Sequence, residues 1–199
     1  MTKFRGKYRT TSTRLQNWDY GWNAAYFITI CTHNREHYFG EIENRKMHLS
    51  SIGVIADVLW HEIKNHVTNV ELDTFVVMPN HVHGILILNN DGQINDTGNV
   101  ETGHALSLQS TPPSTPQPPQ TMGQKRFQNI GKNSISSIIG SYKSAVTKHA
   151  HRMGSCFEWQ PRFHDHIIRD NKSFETIQTY IVENPAKWPD DKLFNQKLY

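Results

Sequence analysis

Two histidines separated by one residue, His81-Val82-His83, lie between the apolar runs Thr74-Phe75-Val76-Val77-Met78 and Gly84-Ile85-Leu86-Ile87-Leu88. The dipeptide Pro79-Asn80 breaks the two runs, and this pattern predicts an antiparallel hairpin from about residue 72 to 88. Side chains alternate along a strand, so His81 and His83 share one face and Val82 takes the other. Two imidazoles that close together on a rigid strand make half of a metal site. Both runs are apolar on both faces, so each face of the sheet needs a cover.

Around this pair the chain predicts further elements. Ala25 to Thr32 forms a strand, and Ser50 or Ser51 caps a helix on which Ile52, Ile55, Ala56, Leu59 and Ile63 recur at helical spacing. A second helix covers Asn133 to Met153, a strand Arg162 to Arg169, and a last helix Ser173 to Glu183. Asn184-Pro185 ends that helix, because a residue before proline is pushed out of the helical region. The order strand, helix, strand, strand, helix, strand is that of an α+β, ferredoxin-like antiparallel sheet with helices on one face. On the second helix Ile135, Ile138, Ile139, Tyr142, Val146 and His149 form one stripe, so Tyr142 faces the sheet that carries the histidines. A tyrosine hydroxyl near a metal-bound phosphodiester is a covalent nucleophile. The side of the sheet the histidines occupy decides whether Tyr142 reaches them.

The 199 residues suit one domain, and 21 basic against 18 acidic residues leave only a mild positive charge. The distribution says more: Lys3, Arg5, Lys7, Arg9 and Arg14 precede the first acidic residue, Asp19, with Phe4 and Tyr8 interleaved. Residues 1–23 are therefore a basic arm suited to phosphate contact and base stacking. Residues 24–190 form the catalytic domain, interrupted at about 89–124 by a stretch holding five of the nine prolines, and 191–199 form a tail. Cys31 and Cys156 lack metal or redox spacing, and no apolar run approaches membrane-spanning length, which points to a reduced, cytoplasmic setting.

Met78-Pro79-Asn80-His81-Val82-His83-Gly84 resembles the His-hydrophobic-His motif of HUH-superfamily nucleases as found in single-tyrosine transposases. The chain as a whole is similar to the REP-associated tyrosine transposases. Supporting blocks are Tyr26 to Arg35, Ser141-Tyr142-Lys143-Ser144, Trp159 to Arg169 and Tyr180-Ile181-Val182-Glu183-Asn184-Pro185-Ala186-Lys187-Trp188. The resemblance implies an enzyme that nicks and rejoins single-stranded DNA beside hairpins through a 5′-phosphotyrosine, with Mg²⁺ or Mn²⁺ as cofactor. It casts Tyr142 as nucleophile and His81 and His83 as metal ligands. It also implies a nucleoid-associated protein acting as monomer or homodimer. Such relatives place a polar third ligand, Gln or Asn, one helical turn after the tyrosine, where this chain has Val146. His149 and Asp165 are the candidates to replace it, and Lys143, Lys148, Arg162 and Arg169 are candidate DNA contacts.

Two other His-x-His tripeptides differ by context. His149-Ala150-His151 falls on a helix, where residues two apart diverge, whereas His164-Asp165-His166 falls on a strand and shares a face. Two alternatives stand beside the transposase reading: a metal-deficient, non-catalytic hairpin-DNA-binding protein, and a zinc hydrolase that activates water on His81 and His83.

Overall fold

The computed structural model describes residues 3–4, 7–8, 18, 20–89 and 134–194. Near the start, β1 (Lys3–Phe4) pairs antiparallel with β2 (Lys7–Tyr8). Most of the rest of the basic arm, residues 1–2, 5–6, 9–17 and 19, and the Pro-rich insertion beyond Asn89 lie outside the described residues. A four-stranded antiparallel sheet follows from β3 (Ala24–Cys31), β6 (Val70–Met78), β7 (His81–Leu88) and β8 (His164–Ile168), in the order β6-β7-β3-β8. Helix α1 (Ser51–His61) and the short α2 (Ile63–His66) link β3 to β6, while α3 (Ile135–Arg152) precedes β8. This is the α+β ferredoxin-like arrangement expected from the sequence.

Pairing across the sheet sorts the side chains. Tyr26, Ile28 and Ile30 of β3 and Val82, Leu86 and Leu88 of β7 enter one core with Trp60 of α1 and Ile135, Ile138, Ile139 and Val146 of α3. On the other face Ile85, Ile168, Phe27 and Ile87 pack against Phe174, Ile177 and Ile181 of the last helix, α4 (Asn171–Glu183). Thus α1 and α3 lie together on one face, and α4 supplies the second cover that strands apolar on both sides demand. Gly84 is needed at its position: a β-carbon there would sit 2.3 Å from Trp60 Cζ2, so only hydrogen leaves room for the indole.

The helix starts follow capping chemistry. Ser50, the first of the two candidate caps, accepts from Gly53 N at 3.1 Å, Ser134 caps α3, and Asp170 Oδ1 takes the Ser173 N–H at 2.8 Å. A hairpin not foreseen from the sequence, β4 (Gly40–Glu43) with β5 (Lys46–Leu49), turns through Asn44 and Arg45, both at positive φ. It lacks the Asn-Gly or Asp-Gly signal that announces such turns. Helix α4 ends at Glu183 as expected, but the backbone of Asn184 departs from expectation. Asn184 keeps helical angles, φ −54° and ψ −45°, and the chain runs on as a 3-10 helix over Pro185–Asp190. The Asn184 side chain reaches forward to Asp191 at 2.8 Å, which holds the pre-proline residue in its unfavoured region.

Candidate active site

His81 and His83 stand on the α4 face of β7, both buried, with ring centroids 4.4 Å apart. Their orientations are set by neighbours. Asn80 Nδ2 donates to Leu193 O at 2.9 Å and to Arg35 O at 3.3 Å, so its Oδ1 is left to accept from His81 Nδ1 at 2.8 Å. His81 Nε2 then carries the lone pair, and it is buried with no hydrogen-bond partner. His83 Nδ1 meets Thr29 Oγ1 at 2.9 Å, which turns its Nε2 toward α4. Burial and the neighbouring His83 hold His81 well below the usual imidazole range, and burial pushes His83 down to about 4. Both rings are neutral at pH 7 and available as ligands.

The third member of the cluster is Asp191. Its carboxylate and the two imidazoles offer ligand atoms that all lie within 4.8 Å of one another. Asp191 comes from the segment after α4, held by Asn184 and by Leu193 N, which donates to Asp191 Oδ1 at 2.6 Å. Asn184 Oδ1, like His81 Nε2, is buried without a partner. Two orphaned acceptors beside a carboxylate are costly in a protein interior and fit a cation. Beside them stands Tyr180 of α4, whose hydroxyl donates to Asp191 Oδ2 at 3.1 Å and lies 3.3 Å from His83 Nε2. Burial and the Asp191 charge push this phenol up to about 12. A cleft of about 670 Å³ opens over His83, Tyr180 and Asp191, with Arg35, Arg162 and His164 on its walls.

Tyr142 is not brought to this cluster. It lies on the opposite face of the sheet, 3 % exposed, and donates its hydroxyl to Ala56 O of α1 at 2.9 Å with its ring edge-on to Trp60. Burial drives its proton affinity far above that of a free phenol. Tyr180, by contrast, is 43 % exposed. Of the two third-ligand candidates, His149 is exposed on α3, because the buried stripe continues through Ala150. Asp165 pairs with Ile28 in the sheet and therefore takes the α1/α3 face, whereas His164 and His166 share the face of Thr29 and Phe27. Val146 is core. Lys143 Nζ donates to the carbonyls of Gln160 and Arg162, each at 2.8 Å. Lys148 and Arg169 are exposed away from the cleft, and Arg162 lines it. Tyr180, Asn184, Asp191 and Asn80 escaped the sequence reading as site residues. A signal existed: Tyr180 and Asn184 are four apart on one helix, the tyrosine-then-polar spacing that Tyr142 and Val146 fail to satisfy.

The structure is similar to that of the REP-associated tyrosine transposase bound to a REP hairpin, with a TM-score of 0.53 over 92 % of this chain and 77 % of that one. At 21 % identity the likeness defines the fold. The chain belongs to one family with an uncharacterised protein of Haemophilus influenzae strain Rd, to which it is 35 % identical over 195 residues, 97 % of this chain and 98 % of that protein. No family model matches the chain. No helix among the described residues is long and apolar enough to cross a membrane.

Proposed function

We propose that the protein is a metal-dependent tyrosine transposase-like nuclease that nicks and rejoins single-stranded DNA near hairpins, with Tyr180 rather than Tyr142 as the attacking group. The observation that carries this reading is the placement of the Tyr180 hydroxyl, 3.3 Å from His83 Nε2 and 3.1 Å from Asp191 Oδ2 at the cleft. His81 and His83, with Asp191 and Asn184, would hold the ion. Oxygen and neutral imidazole donors suit Mg²⁺ or Mn²⁺. When bound, such an ion polarises the phosphodiester and offsets charge that builds on its oxygens.

The chain's own groups perform the rest. Tyr180 Oη attacks phosphorus and becomes joined to the 5′ phosphate as the bond to the 3′ oxygen breaks. The phenolic proton leaves along the hydrogen bond to Asp191 and ends on the released 3′ hydroxyl. A phenol pushed up to about 12 needs such an acceptor in place, since it holds its proton at neutral pH. In the reverse direction a 3′ hydroxyl attacks the phosphotyrosine and reseals the strand, so no nucleotide triphosphate is consumed. Tyrosine and histidines come from one chain, which supports cleavage in cis. The similar transposase structure was solved with a REP hairpin, which supports hairpin DNA as the partner.

The test is adduct formation on a labelled hairpin oligonucleotide with Mn²⁺. Tyr180→Phe is expected to abolish the denaturation-resistant protein–DNA adduct, while Tyr142→Phe keeps it. An adduct in Tyr180→Phe would overturn the assignment. Cleavage that persists without any adduct would favour the zinc hydrolase, and hairpin binding with no cleavage by the unsubstituted protein would favour the metal-deficient binder.

A further inference from the structure

Five non-glycine residues hold positive φ among the described residues, and three of them are arginines: Arg35, Arg45 and Arg162. Arginine has no local reason to prefer this region, since its β-carbon crowds the backbone there. Arg45 is accounted for by the β4–β5 turn, which requires left-handed angles at both central residues. Arg35, at φ 58°, shares a tight turn with Asn34, closed by Glu36 N donating to His33 O at 3.1 Å, whereas Arg162, at φ 69°, stands outside both turns. Both line the cleft that holds His83, Tyr180 and Asp191.

Each of the two has its own carbonyl held by a side chain from elsewhere. Asn80 Nδ2 donates to Arg35 O at 3.3 Å, and Lys143 Nζ donates to Arg162 O at 2.8 Å. The two loops are also stitched together where β3 ends and β8 begins. Thr32 bridges Trp159, His33 N donates to Glu158 O at 2.9 Å, and Gln160 N donates to Cys31 O at 2.9 Å. The backbones of both arginines are thereby fixed on the wall of the cleft that holds His83. Among the described residues neither guanidinium forms an ion pair with a carboxylate. Strained residues that the surroundings over-determine cluster where a ligand is gripped, and a guanidinium matches a phosphate through paired hydrogen bonds.

We propose that Arg35 and Arg162 form a preset two-point clamp for consecutive phosphodiesters of the single strand entering the cleft, with Lys143 a positioning residue for Arg162. This rests on the DNA-cleaving reading and deepens it. Presetting the two backbones leaves only the side chains to be ordered on binding. Lys143, its ammonium committed to two carbonyls, acts through Arg162 rather than on DNA.

The experiment is fluorescence anisotropy of a labelled single-stranded oligonucleotide in EDTA, across a salt series, with thermal melting as the check on folding. Arg35→Gln and Arg162→Gln are each expected to weaken binding about tenfold and to reduce the slope of log Kd on log salt by about 0.7. Arg162→Lys restores the slope. Lys143→Met weakens binding comparably, and Lys143→Met with Arg162→Gln is no weaker than Arg162→Gln alone. Arg152→Gln, exposed at the end of α3, leaves Kd and slope unchanged. Unaltered Kd and slope in Arg35→Gln and Arg162→Gln, while the unsubstituted protein still binds, would overturn the clamp and spare the nuclease. Additive losses for Lys143 and Arg162 would overturn the positioning role. No binding by the unsubstituted protein would overturn the clamp, while adduct formation on the hairpin with Mn²⁺ separately decides the nuclease reading.

Discussion

Asn80 shows how one side chain can decide the chemistry of another. Its amide protons are taken by two carbonyls, so its oxygen fixes the His81 tautomer and leaves Nε2 facing the cluster as a lone pair. The neutrality of the pair has a consequence for stability. The folded pKa of His83, about 4, lies below the 6.5 of a free imidazole, and His81 is shifted the same way. Between those values the unfolded chain binds more protons than the folded one, so stability is complete above about pH 7 and falls as the pH drops toward 4. We expect metal-free protein to lose about 2 kcal/mol through His83 alone between pH 7 and 4.5, read from urea midpoints. A variant with both histidines changed to asparagine should show a flatter profile, and equal pH dependence in the two proteins would refute this account.

Packing between elements turns on Gly84 and Trp60. The strand β7 must pass under α1 closely enough for the indole to lie on its backbone, and a β-carbon at 2.3 Å cannot be absorbed without movement. Gly84→Ala is expected to cost about 1–3 kcal/mol by overpacking. Adding Trp60→Leu should recover part of that loss in equilibrium unfolding, and strict additivity of the two changes would exclude the contact as the cause. At this scale the sequence was widely legible. Helical periodicity, with a serine cap at α1, located α1, α3 and α4 to within a few residues, because these signals lie within each helix and need no distant partner. The β4–β5 hairpin was not legible: its left-handed turn pairs Asn44, which favours that region, with Arg45, which does not signal it. Asn184 likewise kept helical angles against the proline rule because Asp191, seven residues on, bonds its side chain.

Across the whole molecule the cluster joins distant segments: the histidines from β7, Tyr180 and Asn184 from α4, and Asp191 from beyond it. An ion held there would tie the end of the chain to the centre of the sheet, so metal and fold should be linked. Mn²⁺ at one hundred times its dissociation constant is expected to add about 2.7 kcal/mol to unfolding free energy. Asp191→Asn should weaken Mn²⁺ binding by at least roughly tenfold and remove about half of that gain or more, as calorimetry and melting would report. Retention of both would exclude Asp191 as a ligand. By itself the sequence determined the four strands of the main sheet, the three long helices, the shared face of His81 and His83, and the phase of α1 and α3, since periodicity is local. Which tyrosine meets the histidines was decided only by the tertiary structure. Helices α1 and α3 each cross between parallel strands, and right-handed crossovers place both on one face. With β7 apolar on both sides, nothing local says which face the histidines take. They take the other, which α4 covers, and that brings them Tyr180.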